Sequence, residues 1–283
     1  MSDKQIASLY IVATPIGNLA DMTPRAIDVL RHVDLIAAED TRHSGLLLQH
    51  FAINTPCQSL HEHNEEQKSQ HLLHRLEQGE SIALISDAGT PLISDPGYNL
   101  VSLVRKHGFP VIPVPGCCAA IAALSVSGLP ADHFRFEGFL PHKAKARQQT
   151  LSALCQAPQT LIFYESPRRL QQTIQDIVTI FGSDRRVCMA RELTKLHETV
   201  VTKPAGDLLQ WLMADRQQQK GECVLLIEGQ RQPRDPLNEE TARVLGILLE
   251  VLPVKQAASV AASILNIRKN SAYTQALNIQ KKQ

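Results

Sequence analysis

The sequence predicts an α/β protein with two α/β domains, a ligand cleft between them and a small helical domain at its C-terminal end. Short apolar runs bounded by glycine and proline alternate with segments of helical periodicity, the pattern of a parallel sheet covered by helices. Three further apolar runs follow in the second half. We place the domains at residues 1–117, 118–230 and 231–283, the last comprising a linker and a basic helical tail, which fits a length of 283 residues.

The composition is that of an ordinary globular protein. Apolar residues make up 43% and charged residues 20%, and the net charge is +1, so any affinity for nucleic acid must come from local clusters of cations. No apolar run approaches the roughly 18 residues of a membrane span, and the N-terminal segment lacks the apolar core of a signal peptide. We therefore expect a cytoplasmic protein with no membrane partner.

The cysteines and histidines do not predict a metal site. The six cysteines form no CxxC motif, and free thiols suit a reducing compartment. His61 and His63 are close in sequence but have no nearby third ligand, which metal sites require.

The first domain is predicted to contain four buried strands, one further short strand and connecting helices. Thr23 and Pro24 have the N-cap and first-turn preferences that begin a helix. The predicted strands are Leu9–Ala13, Asp34–Ala38, Ile82–Ile85 and Val111–Val114, with helices that include Ser44–Phe51, one from Asn64 to Leu76, and an apolar, buried helix at Cys117–Ser127.

The segment SIALISDAGTPLISDPG, residues 81–97, organises this domain. Its apolar strand is followed by a turn in which Gly89 permits positive φ and Pro91 stiffens the exit. We expect Asp95 to cap the next helix, with Pro96 at the first helical position. Carboxylates and backbone amides then lie at the carboxyl end of a strand, where open α/β sheets bind ligands. An ordinary strand–loop–helix connection is the alternative.

Glycine and proline turns end three of these strands, at residues 15–17, 89–91 and 115–116. Right-handed crossovers place those turns at one edge of a parallel sheet, where they outline a cleft. The first turn, TPIGN, is not a GxGxxG fingerprint, so a dinucleotide is not expected. A polar cluster at residues 39–42 follows another strand, and it indicates either a site at this edge or a surface salt-bridge group.

The second domain begins with a strand-like segment at residues 134–141. Lys143, Lys145 and Arg147 then open a helix, and with His142 they form either a basic patch suited to phosphate or a solvated helix face. Three apolar runs form the sheet, and their polar flanks are expected to face the cleft. These runs are Thr160–Tyr164, Val187–Ala190 and Cys223–Ile227, flanked by residues 165–169, 191–195 and 220–222.

The tail, residues 251–283, carries five cations and no Asp or Glu. An alanine-rich helix, a break near Asn266 and Asn270, and a second helix are typical of a small helix-turn-helix. A basic helix pair attached to an α/β core favours docking to nucleic acid. A dimerisation or packing appendage is the alternative.

Nine short motifs run in order through residues 12–222: VATPIGNL, AAEDTR, HEHNE, ISDAGTPLISDPG, SGLP, FEGFLP, FYESPRR, ARELTK and KGE. Together they resemble the tetrapyrrole-methylase-like superfamily and, within it, the bacterial enzymes that methylate the ribose 2′-hydroxyl of a cytidine in 16S ribosomal RNA. The resemblance includes the basic tail. It implies two α/β domains of tetrapyrrole-methylase type with the cofactor cleft between them, a homodimer, and a decoding-centre cytidine of the small ribosomal subunit as substrate.

The resemblance also implies that S-adenosyl-L-methionine binds in the cleft. Its site is expected to use Pro15, Ser86, Asp87, Ala88, Gly89 and Ile93 from the first domain, and Tyr164, Ala190, Leu193, Gly221 and Glu222 from the second.

Two further sets of residues are expected to act on the RNA. A ribose hydroxyl is a weak nucleophile at neutral pH, so we expect a general base at the rim of the cleft. The candidates are Glu39, Asp40, Arg42, Glu165 and Glu192. The residues expected to contact RNA are Lys143, Lys145, Arg147, Arg168, Arg169, Lys255, Arg268 and Lys269.

Two other functions are compatible with the sequence. One is an S-adenosylmethionine-dependent C-methyltransferase acting on a tetrapyrrole or other small molecule. The turn TPIGN replaces the glycine-rich GxGxGD-type turn of the precorrin and uroporphyrinogen relatives, which disfavours that reading. The other is a ribosome-binding factor without enzymatic activity.

Overall fold

The computed structural model describes residues 7–61, 64–230 and 236–280. The chain forms two compact units, residues 1–230 and 231–283. The strands of the first unit are β1 Leu9–Val12, β2 Leu35–Ala38, β3 Cys57–Ser59, β4 Ile82–Ile85, β5 Val111–Val114, β6 Phe134–Phe139, β7 Thr160–Glu165, β8 Arg186–Arg191, β9 Thr199–Pro204 and β10 Cys223–Ile227. Its α-helices are α1 Pro24–His32, α2 Thr41–His50, α3 Glu65–Glu77, α4 Tyr98–Lys106, α5 Ala119–Val126, α6 Ala144–Leu154, α7 Leu170–Phe181 and α8 Ala205–Ala214. The second unit contains α9 Pro236–Leu249, α10 Val254–Leu265 and α11 Lys269–Gln280.

The first sheet is parallel, with strand order β3-β2-β4-β1-β5. This confirms the α/β fold predicted from the apolar runs. Its strands are apolar on both sides because helices cover both faces. Leu84 packs in the layer that contains α3 and α4, whereas Ile85 packs in the layer that contains α1 and α2. The carboxyl ends of β1, β2, β4 and β5 therefore share one edge.

The second sheet is mixed, with strand order β6-β7-β10-β8-β9. Strand β10 lies between β7 and β8 and is antiparallel to both. Sequence reasoning missed β9, an edge strand with a half-exposed, partly polar pattern that lacks the continuous apolar run of its neighbours. In this arrangement the start of β10 lies beside the ends of β7 and β8.

Helix α5 packs on the second sheet. Ala120, Ala123 and Leu124 join a buried cluster with Ile162 of β7 and Val224 of β10. The helix was expected to be buried because it is small and apolar on most faces, and that expectation was wrong. Its outer face is open, with two apolar side chains at least half exposed, Ile121 and Val126.

Two of the predicted helix starts need correction. Helix α2 begins three residues earlier than expected, at Thr41, because the Asp40 side chain caps it through the amide of Arg42 at 2.8 Å. Helix α4 is capped at Gly97, not Asp95. The buried Glu65 of α3 takes the capping role instead, since its Oε1 accepts hydrogen bonds from the amides of three residues. These are Gly97 (3.1 Å), Asn99 (2.8 Å) and Leu100 (3.4 Å). Asp95 therefore has no capping role and lies in the loop before α4.

Other helix starts follow the sequence. Thr23 Oγ1 accepts a hydrogen bond from Ala26 N at 3.2 Å, and Pro24 occupies the first turn of α1, as predicted. Asn64 stands at the N-cap position of α3, but its side chain makes no capping bond to that helix. Its Oδ1 accepts a hydrogen bond from His61 N instead.

The second unit is a three-helix arrangement with an alanine-rich core. Ala257, Ala261, Ala272 and Ala276 are buried with Leu245. Small side chains at these positions let the helices approach closely. Asn266 ends α10 in the left-handed conformation (φ 51°), which confirms the predicted break there, whereas Asn270 lies inside α11. Within the described residues, no helix is both long and apolar enough to cross a membrane.

Removing the Glu65 carboxylate should destabilise the first unit. Glu65→Ala leaves three amides at the start of α4 without their charged acceptor, and a hydrogen bond to a charged group contributes about 1.5–3 kcal/mol. We expect a loss of that size in the free energy of unfolding, measured by chemical denaturation. The exposed neighbour Glu66→Ala is the control. Equal effects of the two substitutions would contradict the capping role.

Candidate functional site

A cavity of about 390 Å³ lies between the carboxyl edge of the first sheet and the second sheet. Its walls come from the segments after β2 and β4, the start of α5, and the ends of β6, β7, β8 and β10 that face them. The volume is within the range of about 300–1,000 Å³ usual for small-molecule sites. Eight of the residues expected to bind a cofactor line it: Asp87, Ala88, Gly89, Ile93, Tyr164, Ala190, Leu193 and Glu222.

Hydrogen bonds join three loops of the first sheet into one wall. The amide of Thr14 donates to Gly89 O at 2.8 Å, and the amide of Gly89 donates to Thr14 O at 3.0 Å. Thr90 Oγ1 donates to Cys117 O at 2.9 Å, which adds the loop after β5. Gly89 has φ +85°, a conformation in which a side chain is strained, and a Cβ there would lie 3.4 Å from Ile16. The predicted turn therefore forms part of the cavity wall.

Three residues expected to bind a cofactor lie outside the cavity lining: Pro15, Ser86 and Gly221. Ser86 is buried, and its carbonyl accepts a hydrogen bond from Thr14 Oγ1 at 3.2 Å. Gly221 has φ +80°, a conformation that strains other residues, and a Cβ there would displace the carboxylate of Glu192. These residues shape the segments that carry the lining residues.

The antiparallel setting of β10 brings Glu222 to the cavity. Cys223 pairs with Glu165 at the end of β7 and with Arg191 at the end of β8. The residues that precede β10 therefore reach the same edge as the residues that follow β7 and β8. This geometry explains how three flanks distant in sequence meet.

Tyr164 gives the cavity an aromatic side. Its ring makes edge contacts with Phe136 at 4.9 Å and Phe139 at 5.6 Å between centroids. Burial raises the pKa of Tyr164, and the nearby Cys118 and Asp95 raise it further. The phenol is therefore neutral at physiological pH.

Glu165 lines the cavity but is held in a structural network. Its side chain is fully buried and pairs with Arg169 at 2.6 Å. Oε1 also accepts a hydrogen bond from the amide of Ser166 at 2.7 Å, and Oε2 accepts one from Thr173 Oγ1 at 2.7 Å. Both carboxylate oxygens are engaged, which fits a structural ion pair better than a proton acceptor.

Glu192 is also engaged in a network. Lys195 Nζ lies 2.9 Å from both Glu192 Oε1 and Glu222 Oε2, and Glu192 Oε1 accepts a hydrogen bond from the amide of Glu222 at 2.9 Å. Burial alone would raise the pKa of Glu192, but the Glu222 amide and the Lys195 ammonium outweigh it and lower the pKa. Glu192 and Thr194 both have positive φ, 51° and 67°, so Leu193 reaches the cavity from a strained turn.

The polar cluster at residues 39–42, after β2, was expected to be either part of a site or a surface salt-bridge group, and its members differ in this respect. Glu39 lines the cavity. Asp40 and Arg42 form an ion pair at 2.8 Å on the surface, with the Arg42 side chain 90% exposed, and Arg42 holds the pKa of Asp40 well below its usual range. The amide of Asp40 donates to Asp87 Oδ1 at 3.1 Å, which links the ends of β2 and β4. The salt-bridge reading is therefore the right one for Asp40 and Arg42.

Asp95 is a lining residue that sequence reasoning missed. It was predicted to be a helix cap, and that prediction hid its position in the cavity. The pKa of Asp95 is raised to about 6, mainly by burial and in smaller part by the charges of Glu39 and Asp87, while a hydrogen bond from Ser86 acts to lower it. The SDPG motif correctly marked a turn. The Asp95 side chain is not needed to cap α4, however, because Glu65 accepts the amides at the start of that helix.

Six of the eight residues expected to contact RNA are exposed, and two are not. The exposed residues are Lys143, Lys145 and Arg168 in the first unit and Lys255, Arg268 and Lys269 in the second. The other two are Arg147 and Arg169. The Arg147 side chain is 3% exposed and pairs with Asp176 at 2.7 Å, and that of Arg169 is 13% exposed and pairs with Glu165. The expected patch of alternate cations was wrong at Arg147, because this side chain lies on the face of α6 that packs against α7 and pairs with Asp176 there.

Metal ligands do not cluster in the described parts of the chain. Among residues 7–61, 64–230 and 236–280, no group of three His, Cys, Asp or Glu side chains is placed to hold an ion. His63 of the weak histidine candidate lies outside the described residues.

Comparisons with known proteins match nearly the whole chain. Residues 8–209 match the family Tetrapyrrole (Corrin/Porphyrin) Methylases, and residues 235–280 match the RsmI C-terminal HTH domain. The chain is 53% identical over 279 residues to ribosomal RNA small subunit methyltransferase I of Escherichia coli O157:H7, covering 99% of this chain and 98% of the relative. It is 53% identical over 277 residues to the protein of that name from Pseudomonas aeruginosa, covering 97% of this chain and 98% of the relative.

Solved structures share the fold over about four-fifths of the chain. The crystal structure of uroporphyrin-III-C-methyltransferase from Thermus thermophilus superposes with a TM-score of 0.54 and 18% sequence identity. The match covers 78% of this chain and 94% of that one. At this identity the likeness shows a common fold alone.

Two adjacent arginines should differ sharply in their effect on stability. Arg169→Met leaves the buried Glu165 carboxylate without its cation, and breaking such a pair typically costs about 3–5 kcal/mol. Arg168→Met removes an exposed charge and should change the free energy of unfolding by no more than about 0.5 kcal/mol. Chemical denaturation at neutral pH measures both. A similar small effect for the two variants would contradict the structural role of the Glu165–Arg169 pair.

Proposed function

Because the chain belongs to the ribosomal RNA small subunit methyltransferase I family of tetrapyrrole methylases, we propose that it methylates the ribose 2′-hydroxyl of a decoding-centre cytidine in 16S ribosomal RNA. The methyl donor is S-adenosyl-L-methionine. The observation that carries this proposal is identity of 53% over nearly the full length of both chains, including the helical tail. The cavity supplies a place for the donor.

The cavity residues fit a donor of this kind. Backbone groups and the Asp87 carboxylate line one wall, and Tyr164, Ala190 and Leu193 line the opposite, mainly apolar wall. A polar wall facing an apolar one suits a ligand that joins a charged amino-acid part to a purine. The carboxylates of Glu39, Asp87 and Asp95 complement the positive charge of a sulfonium.

The donor supplies an electrophilic methyl carbon and its own leaving group. The chain must hold the ribose oxygen in line with that carbon, about 3 Å away, and such alignment can contribute roughly 7–11 kcal/mol. Ile93 and Phe139 line the cavity and are 37% and 58% exposed. They therefore mark the mouth through which a ribose approaches, while the buried walls exclude water.

Each unit is proposed to contribute its own cations to RNA binding. Lys143, Lys145 and Arg168 are exposed in the unit that holds the cavity. Helix α11 begins with Lys269, directly after Arg268, and the segment lacks acidic residues. Phosphates favour such surfaces through counterion release.

The assembly and location follow the same proposal. We propose a homodimer, the assembly that the family resemblance implies; the exposed apolar side chains Leu196 (92%) and Tyr98 (72%) are available to such an interface. We propose that the protein acts in the cytoplasm, where small ribosomal subunits reside.

Methyl transfer tests the function directly. Purified protein with methyl-labelled S-adenosylmethionine should label small ribosomal subunits and not uroporphyrinogen. Alkaline digestion of the labelled 16S RNA, followed by mass spectrometry, should place the methyl group on the ribose of one cytidine. A 2′-O-methyl group blocks alkaline cleavage of the adjacent phosphodiester, so that position stays uncut. Label on uroporphyrinogen, or on a base, would refute the proposal.

Charge reversal in the tail should weaken RNA binding in a salt-dependent manner. The triple variant Lys255→Glu, Arg268→Glu, Lys269→Glu should lose at least about tenfold in affinity for small subunits, and the slope of log affinity against log salt should fall by about 2, at about 0.7 per phosphate contact. Affinity for S-adenosylhomocysteine should not change.

The control is the triple variant Arg25→Glu, Arg105→Glu, Lys106→Glu, which makes the same change of net charge at exposed sites elsewhere. If both triple variants lose equal affinity, the tail has no specific role in docking.

A further inference from the structure

Asp95 occupies a distinctive place in the cavity. It lies between Ile93 and Ser94, which line the mouth, and Gly97, which is fixed by Glu65. Leu92 and Ser94 have positive φ, 73° and 70°. Two such non-glycine residues in one short loop indicate strain that is retained for function. Asp95 lines the cavity directly after Ile93 and Ser94, the exposed lining residues of this loop.

The groups around Asp95 come from three strand ends. Glu39 follows β2 and Asp87 follows β4, and both carboxylates disfavour a charge on Asp95. Tyr164, near the end of β7, is close enough to Asp95 for the Asp95 charge to raise the pKa of the Tyr164 phenol. Ser86 is within hydrogen-bonding reach. Burial is the largest influence, and the pKa of Asp95 is about 6, near the value at which a general base works best at neutral pH.

The other acidic side chains that line the cavity have defined partners. Glu165 bonds to Arg169, Ser166 and Thr173. Asp87 accepts the amide of Asp40, and Glu222 pairs with Lys195. Glu39 has an interaction of its own as well. Asp95 differs from these in that it combines a position near the mouth with a raised affinity for a proton.

We infer that Asp95 is the general base that takes the proton from the ribose 2′-hydroxyl, an inference that rests on the proposed function. The ribose oxygen forms a bond to the methyl carbon while the sulfur–methyl bond breaks and leaves its electron pair on sulfur. The hydroxyl proton passes to a carboxylate oxygen of Asp95. Charges and atoms balance, since the cationic donor becomes a neutral thioether and the carboxylate becomes a carboxylic acid.

Asp95→Asn tests this assignment, because the amide keeps the shape of the side chain and cannot accept the proton. Single-turnover methylation of small subunits should fall by about 10²–10⁴-fold, while the Kd for S-adenosylhomocysteine stays within about threefold of wild type. The wild-type rate should rise with pH through a midpoint near 6, because the base acts when deprotonated. The variant should lack this step. Asp28→Asn, an exposed change on α1, is the control.

A measurement without substrate completes the test. Carboxyl-carbon NMR of aspartate-labelled protein, with the Asp95 signal assigned by its absence from the variant, should show a titration midpoint near 6. Thermal unfolding verifies that the variant is folded.

Several outcomes would overturn the inference. A variant rate within about threefold of wild type would exclude a catalytic base at this position. A loss of more than about tenfold in S-adenosylhomocysteine affinity would make Asp95 a binding residue instead. A normal aspartate titration near 4 would also contradict the assignment. Absence of methyl transfer by the wild-type protein would refute the proposed function itself, and the inference with it.

Discussion

The structure depends on a pair of backbone hydrogen bonds between two loops. The bridge between Thr14 and Gly89 joins the end of β1 to the end of β4, and Thr90 adds the loop after β5 through Cys117. Because these loops leave neighbouring parallel strands, a few bonds suffice to make one continuous wall. Gly89 is essential to this arrangement, since its positive φ turns the chain toward the cavity while its amide and carbonyl face Thr14.

The second sheet completes the cavity by a different route. In an all-parallel sheet, the residues before a strand lie at the edge opposite those that follow its neighbours. Strand β10 is reversed between β7 and β8, so Glu222 reaches the edge where Tyr164 and Ala190 end their strands. Acidic and backbone groups of the first sheet then face a mainly apolar wall. This division suits the proposed ligand, which has a charged part and a flat aromatic part.

Much of this could be predicted from the sequence, for identifiable reasons. Apolar runs and Pro/Gly turns located the parallel strands and the Gly89 loop, because both signals are local. The role of Asp95 could not be predicted, since it depends on Glu65, a residue 30 positions earlier that takes over the helix cap. Burial of Arg147 and the pairing of Arg169 likewise depend on partners in α7 and β7. Spacing along the chain identifies charged residues but not the partners that neutralise them.

We propose that the facing edges of the two sheets hold the methyl donor, and a crystal structure with S-adenosylhomocysteine decides this. We expect the ligand in the cavity, in contact with the Asp87–Gly89 loop on one side and with Ala190 and Leu193 on the other. A ligand bound elsewhere on the chain, or a cavity that remains without ligand at saturating concentration, would refute this location for the donor.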